Sequence, residues 1–213
     1  MSAALVDQML LLGSTPEGRH ALRDLPTLVA GAAMADLAAR GRISCPARTV
    51  QVDDDTPTGH PVLDRLLARI ADTRRGRAPW RWIFDTGRSI TQAEREHLVQ
   101  TGVLGTEEDV VLGMLPRTRH PLRDLAAREQ VVERVRSVVL AADVRAAAEA
   151  ADPQTRMLVD LLGTAYHSRR TAAALFPELD ARALRTRLKT APGKHWVVTA
   201  TAHAVRLVNA ARA

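Results

Sequence analysis

Apolar residues recur at helical spacing along most of this 213-residue chain, and that pattern is its strongest constraint on the fold. Between Pro61 and Thr73, valine, leucine and isoleucine return every three or four positions, with Arg65 and Arg69 on the opposite face. The pattern predicts a mainly α protein with minor β elements. No internal repeat or long linker divides the chain, so we expect one domain over residues 1–213. The predicted helices are Leu25–Ala39, Pro61–Thr73, Ile90–Thr101, Leu125–Ala150, Thr155–Ser168, Thr171–Phe176, Asp180–Thr190 and His195–Ala211.

A few segments predict other structure. Residues 3–12 fit a short helix or a buried strand, which periodicity cannot separate at this length. Residues 43–52 predict one or two short strands, and residues 80–84 a short apolar piece. Val103-Leu104 and residues 110–112 flank the polar connector Gly105–Asp109, a pattern typical of a β-hairpin. Residues 116–121 are predicted to be a loop.

The composition excludes several classes of protein. Apolar residues make up 46% of the chain, which argues against global disorder. The single cysteine, Cys45, excludes an intrachain disulfide framework and fits a small buried side chain better than a nucleophile. No apolar run approaches the roughly 20 residues of a membrane span, and the N-terminus lacks a basic segment before its apolar run. We therefore expect a cytoplasmic protein.

The sequence contains no motif that predicts an active site or a cofactor. Glycine-rich phosphate loops and the G-x-S-x-G elbow are both missing. None of the seven histidines forms a helical metal-binding pair, so no metal is expected. Residues 53–55 are three aspartates whose spacing does not match a calcium loop, and a solvated turn explains them better. An enzymatic function is therefore not predicted.

Positive charge is concentrated in two segments. The chain has 30 basic and 24 acidic residues, a net charge of +6. Residues 65–95 carry an excess of +5 and residues 169–213 an excess of +7, whereas the other two stretches are each −3. Such segments attract anionic lipids, nucleic acids or acidic proteins, but a solvated helix face is an equal alternative for each.

Tryptophan lies beside arginine in the first basic segment. Trp80, Arg81 and Trp82 follow a run of arginines, and indole next to guanidinium is typical of a membrane interface. Ile83 and Phe84 follow directly, so we predict that Trp82 belongs to the core, while Trp80 fits either location.

Five blocks, in this order, resemble the Golgi phosphoprotein 3 family, and in particular its bacterial members. The resemblance covers roughly residues 5–170. It implies a helical bundle wrapped by amphipathic helices, with a protruding β-hairpin. The blocks are Leu10–Gly13, Leu37–Ile43 (L-A-A-R-G-R-I), Thr56–Asp64 (T-P-T-G-H-P-V-L-D), Leu98–Leu104 and Pro116–Leu122.

The resemblance implies a non-enzymatic peripheral membrane adaptor. The eukaryotic members bind phosphatidylinositol 4-phosphate and hold the cytoplasmic tails of Golgi glycosyltransferases. By resemblance, the partners expected here are an anionic membrane lipid, such tails, and a second copy of the chain. The expected location is the inner membrane face.

The lipid pocket of the family is only partly matched. It uses one tryptophan and three arginines. The tryptophan falls near Leu22 or Arg23, and the arginines fall at Ala30, Arg88 and Thr91, so Arg88 alone matches. Our hypothesis is that three further arginines complete a headgroup site around Arg88, because guanidinium groups suit phosphate oxygens. They are Arg23, Arg81 and Arg95.

The family hairpin falls at about residues 103–115. It contributes to self-association and membrane contact. We expect the acidic side chains of Glu107, Glu108 and Asp109 at its tip, where an anionic membrane would repel them. The hairpin is therefore assigned to oligomer or partner contact, through Thr106, Glu107, Glu108, Asp109, Val110 and Val111.

The second basic segment leaves a different function open. Residues 182–189 form a compact basic helix within residues 169–213. A nucleic-acid-binding protein that uses this segment is the alternative hypothesis. Its binding would depend steeply on salt.

Overall fold

The structure is a computed structural model that describes residues 3–73, 76–111, 115–165, 168–190 and 195–212, without the side chains of 109–111, 115–117, 170 and 190. It is mainly helical, as predicted. The helices are α1 Leu5–Leu12, α2 Leu25–Ala39, α3 Pro61–Ala71, α4 Pro79–Gln100, α5 Leu125–Val139, α6 Val144–Ala150, α7 Pro153–Gly163, α8 Arg169–Leu175, α9 Ala181–Thr190 and α10 Trp196–Ala210. The strands are β1 Ile43–Ser44, β2 Gln51–Val52, β3 Glu107–Val111 and β4 Leu115–Arg119.

Helix α2 is the centre of the core. Twelve of its fifteen residues are buried, on every side of the helix, because its alanines and leucines offer no polar face. Helices α1, α4 and α10 pack around it. Gly31 allows the closest approach to α10, because a Cβ atom there would lie 2.5 Å from Oγ1 of Thr201. The predicted bounds of α2 are confirmed. The segment 3–12 contains the helix α1 and not a strand.

Helix α4 corrects the prediction of two separate pieces. It runs unbroken for 22 residues and includes the predicted apolar piece 80–84. Gly87 lies in its middle, where a Cβ atom would come within 2.9 Å of the carbonyl oxygen of Pro26. The glycine therefore allows α4 to approach the first turn of α2, and it does not end the helix. Trp82 is 1% exposed, which confirms that it is a core residue.

The β-hairpin is present, but its predicted strands were wrong. Glu107 to Val111 form β3, which pairs antiparallel with β4. The predicted connector 105–109 is thus mostly strand, and the predicted loop 116–121 contains most of β4. The pairing places Glu107 opposite Arg119 and Asp109 opposite Arg117, so opposite charges occupy paired positions.

This strand pairing also corrects the predicted position of the acidic residues. Glu107 and Glu108 begin β3 at the base of the hairpin, and not at its tip. Residues 112–114, which connect the two strands, lie outside the described residues.

The long predicted helix 125–150 is in fact two helices. Helix α5 ends at Val139, and α6 begins after Asp143. The Asp143 carboxylate accepts a hydrogen bond from the backbone N–H of Ala146 at 3.0 Å, which caps α6. Asp143, which favours the start of a helix, therefore divides the helix that the valine spacing predicted over residues 125–150. Among the helices of the described ranges, none combines the length and apolar character that a bilayer crossing requires.

Candidate functional site

Three of the four predicted site arginines lie in a row along α4. Arg81, Arg88 and Arg95 are seven residues apart, which places them on one face of a helix with successive Cα atoms about 10 Å apart. Arg81 and Arg88 are exposed, whereas Arg95 is half-buried. A row of this length does not converge on a single phosphate group. The three arginines therefore do not form one site.

Arg88 lines a groove of about 480 Å³ between three helices. The first turn of α2 forms one wall, the middle of α4 a second, and the end of α10 a third. Gly87 sets the spacing between α2 and α4, because any side chain there would meet the Pro26 carbonyl. The lining residues are Pro26, Thr27, Phe84, Asp85, Gly87, Arg88, Val208, Ala211 and Arg212.

The groove has one guanidinium without a protein partner. No hydrogen bond or ion pair with another described residue involves Arg88. By contrast, Asp85 is ion-paired with Arg77, and Arg212 approaches the buried Asp24 at 3.4 Å. Since the other charged groups are already compensated, Arg88 is the group best placed to receive an external anion.

An exposed aromatic ring lies next to Arg88. The side chain of Phe84 is 43% exposed, which is unusual in a structure whose other large apolar residues are mostly buried. Phe84 precedes Arg88 by one helical turn and lines the same groove. The site therefore combines an apolar ring with an unpaired cation.

The remaining predicted arginines are placed differently. Arg81 lies 5.3 Å from the ring centre of Trp80, which itself stacks on His203 at 4.9 Å. The Arg95 guanidinium donates to Nε2 of His20, and burial lowers the pKa of Arg95. Arg23 is exposed and comes just before Asp24, the residue that precedes α2.

The unmatched family positions face the core. Ala30 is 0% exposed and Thr91 is 2% exposed, and the Thr91 hydroxyl donates to the Gly87 carbonyl at 2.7 Å. An arginine at either position has no room here without repacking. The groove instead uses Phe84 and Arg212, which the sequence reasoning missed. Arg212 lies 124 residues from Arg88, so no spacing rule connects them.

The hairpin residues lie apart from this groove. Thr106, Glu107 and Glu108 are exposed, and Asp109, Val110 and Val111 continue the same strand. None of them lines the groove. The groove and the described start of the hairpin are therefore separate surfaces.

The chain matches a known protein family. The family model described as Golgi phosphoprotein 3 (GPP34) matches residues 5–208. The match extends beyond residue 170 and includes the groove residues of α2 and α4, whereas Ala211 and Arg212 at the end of the third wall lie outside it.

Proposed function

Because the chain belongs to the Golgi phosphoprotein 3 family, we propose that it is a non-enzymatic peripheral membrane module that binds anionic phospholipid headgroups in the groove beside Arg88. The observation that carries this proposal is the unpaired guanidinium of Arg88 next to the exposed ring of Phe84. Guanidinium groups bind phosphate oxygens through paired N–H donors, and an aromatic ring favours headgroup depth.

The positive charges on helices α3 and α4 also support this proposal. Arg65 and Arg69 are exposed on α3, and no ion pair of the described residues compensates either of them. With Arg81 and Arg88 they give four exposed arginines on adjacent helices. Each basic residue near an anionic surface contributes about 1 kcal/mol. A few kcal/mol from charge alone is weak binding, so the proposal also requires the groove and Phe84.

The α2 terminus adds a further attraction for anions. Pro26 and Thr27 line the groove from the first turn of a fifteen-residue helix, whose N-terminal end carries partial positive charge. The effect is partly offset by Asp24, which is buried at that end. We propose that the headgroup is a phosphorylated inositol, of phosphatidylinositol 4-phosphate type, because a phosphomonoester presents more acceptor oxygens to Arg88 than a phosphodiester does.

Vesicle flotation tests this proposal. Three vesicle types are compared: phosphatidylcholine alone, phosphatidylcholine with phosphatidylserine, and phosphatidylcholine with phosphatidylinositol 4-phosphate at matched surface charge. We expect binding to the third type to exceed binding to the second. Arg88→Ala should lower that binding about five-fold, from the loss of roughly 1 kcal/mol. Phe84→Ala should weaken binding to both anionic types.

Arg145→Ala is the matched control. The exposed side chain of Arg145 pairs with Glu149 within α6, and no residue of α6 lines the groove. Equal binding to all three vesicle types would overturn the proposal. So would identical loss for Arg88→Ala and Arg145→Ala. Affinity for a DNA duplex that persists at physiological salt, without flotation, would favour the nucleic-acid hypothesis instead.

We also propose that the hairpin is the contact to a second copy or to a cytoplasmic tail. Its support is the exposed start of β3 at Thr106, Glu107 and Glu108, with a strand edge available for pairing. Analytical ultracentrifugation of the double variant Glu107→Lys, Glu108→Lys tests it. A sedimentation coefficient unchanged from an oligomeric wild type would exclude the hairpin as the self-association surface.

A further inference from the structure

Four polar side chains from three helical segments meet on the side of α1. Asp7 lies in the first turn of α1, His60 precedes the first residue of α3, and Glu94 and His97 lie on α4. Nε2 of His60 is 2.8 Å from Oδ1 of Asp7 and 3.9 Å from Oε2 of Glu94. The rings of His60 and His97 have centres 4.6 Å apart. One ligand atom from each of Asp7, His60 and His97 lies within 4.8 Å of the others.

The cluster is largely removed from solvent. The side chains of His60 and Asp7 are 11% and 13% exposed, and that of Glu94 is 0% exposed. His97 is half-buried. The cluster is thus not a patch of solvated surface charges, which form easily without a ligand.

Three of its polar atoms have no hydrogen-bond partner in the structure. They are both carboxyl oxygens of Glu94 and Nδ1 of His60. A buried polar atom without a partner costs roughly 1–3 kcal/mol, and more if it is charged. Native proteins rarely retain such groups unless an ion, a water molecule or a function explains them. The hydrogen bond from His60 to Asp7 therefore explains only half of the cluster.

The sequence contains a matching local pattern on α4. Glu94 and His97 are three residues apart, so a helix places both side chains on one face. This Glu-x-x-His spacing is used in helical bundles to present a carboxylate and an imidazole to one metal centre. Asp7 and His60 come from distant segments, and only the fold brings them to that face.

From this geometry we propose that Asp7, His60 and His97, with Glu94 behind them, form a binding site for one divalent first-row transition metal ion, with Zn²⁺ as the type case. Two imidazoles with carboxylates suit Zn²⁺, Fe²⁺ or Co²⁺, whereas Mg²⁺ and Ca²⁺ prefer oxygen ligands alone. Ligands about 2.1 Å from a tetrahedral ion lie about 3.5 Å apart. Asp7 and His60, whose atoms are 2.8 Å apart, would therefore have to separate slightly, and separations of up to 4.8 Å would have to close by about 1 Å.

The site would tie α1 and the start of α3 to α4. It is independent of the proposed lipid site, because no groove residue belongs to it. Asp7, His60 and His97 come from separate segments that only the folded chain brings together. Metal binding should therefore raise the thermal stability of the whole chain.

The test is titration of the untagged full chain, stripped with a chelator, with Zn²⁺ and separately with Co²⁺. We expect one equivalent of Zn²⁺ by calorimetry, an increase in Tm, and a visible Co²⁺ spectrum of four- or five-coordinate type. His97→Ala should remove the spectrum and weaken Zn²⁺ binding at least about 100-fold. Glu94→Gln, which keeps the shape of the side chain, should weaken it roughly 10–100-fold, as loss of a supporting carboxylate does.

His203→Gln is the matched control, because His203 is an exposed imidazole on α10 that stacks only on Trp80. It should leave the affinity and the Co²⁺ spectrum unchanged. The proposal is overturned if the stripped wild type binds no equivalent of either ion, or if His97→Ala and Glu94→Gln bind as tightly as the wild type. It is likewise overturned if His203→Gln alone removes binding.

Discussion

The two basic segments, residues 65–95 and 169–213, have similar excess charge, but Arg88 of the first and Arg187 of the second differ in their contacts. In the second segment, Arg187 donates at 3.1 Å to the carbonyl oxygen of Val139, the last residue of α5, and at 2.8 Å to that of Ala141 just after the helix. In the first segment, Arg88 contacts no described partner and faces an open groove. Net charge alone does not distinguish an arginine that stabilises the fold from one that is available to a ligand.

Arginines outside both segments show the structural use again. Nε of Arg156 donates to the Ala148 carbonyl near the end of α6 at 2.8 Å, and Arg136 donates to the Leu175 carbonyl at the end of α8 at 2.8 Å. The last carbonyls of a helix have no partner within it and carry partial negative charge. A cationic donor with several N–H groups satisfies them well, so helix ends explain the positions of Arg136, Arg156 and Arg187.

The largest expected effect concerns Arg187. Arg187→Ala leaves two carbonyls without their donor, and hydrogen bonds from a charged group contribute about 1.5–3 kcal/mol. We expect the free energy of unfolding to fall by about 2 kcal/mol, measured by urea denaturation. Arg182→Ala, at an exposed position of the same helix, is the control and should change it by less than about 0.5 kcal/mol. Equal effects would remove the distinction between structural and available arginines.

The second prediction concerns a carboxylate near one of the structural arginines. Arg156 donates to backbone carbonyls, and Oδ1 of the buried Asp160 has no hydrogen-bond partner. Burial raises the pKa of Asp160 from 3.8 to about 6, against the opposing charge of Arg156. The folded protein thus holds this proton to higher pH than the unfolded chain does. The contribution of Asp160 to stability is greatest below about pH 4 and is lost as pH rises through about 6.

Asp160→Asn should therefore stabilise the protein by about 1–2 kcal/mol near pH 8, a value reduced for partial solvent screening. Near pH 4 the variant and the wild type should unfold with the same free energy. Thermal unfolding across this pH range measures the difference. A variant that is less stable at the higher pH would show that the Asp160 carboxylate is well compensated, contrary to this interpretation.

The smallest effect is expected for the first basic segment. Arg65→Ala and Arg88→Ala should each change the free energy of unfolding by less than about 0.5 kcal/mol, because neither guanidinium has a partner to lose. Their Tm values should match that of the wild type in the same buffer. A loss of more than 1 kcal/mol in either variant would mean that this segment, like the second one, contributes its charge to the fold.

Local sequence patterns predicted some elements well and others poorly. Helices α2 and α10 were predicted nearly to their ends, since continuous apolar patterns with proline or glycine at the boundaries are local signals. Helix α4 was predicted as two pieces, residues 80–84 and 90–101, because its contacts with α2, such as the close approach at Gly87, come from a distant segment of the chain. The acidic run at Glu107 resembled a loop because its basic partner strand had to be known before pairing was evident.

Functional positions divide in the same way. Arg88 was identified through family resemblance, and Glu94 and His97 carry a local spacing that could have been recognised. Arg212 and Asp7 carry no such signal, because only the packing of α10 and α1 against the other helices gives them their neighbours. Residue spacing in the sequence does not predict which side chains from distant segments lie together in the fold.

The complete burial of α2 has a consequence for how the molecule opens. Its backbone N–H groups are shielded by α1, α4 and α10, so no partial unfolding that leaves those helices in place exposes them to solvent. In deuterated water the amides of α2 should exchange only when the whole structure unfolds, whereas those of exposed helix ends exchange through local opening. The exchange rates of the α2 amide hydrogens would then each give the global free energy of unfolding, without denaturant.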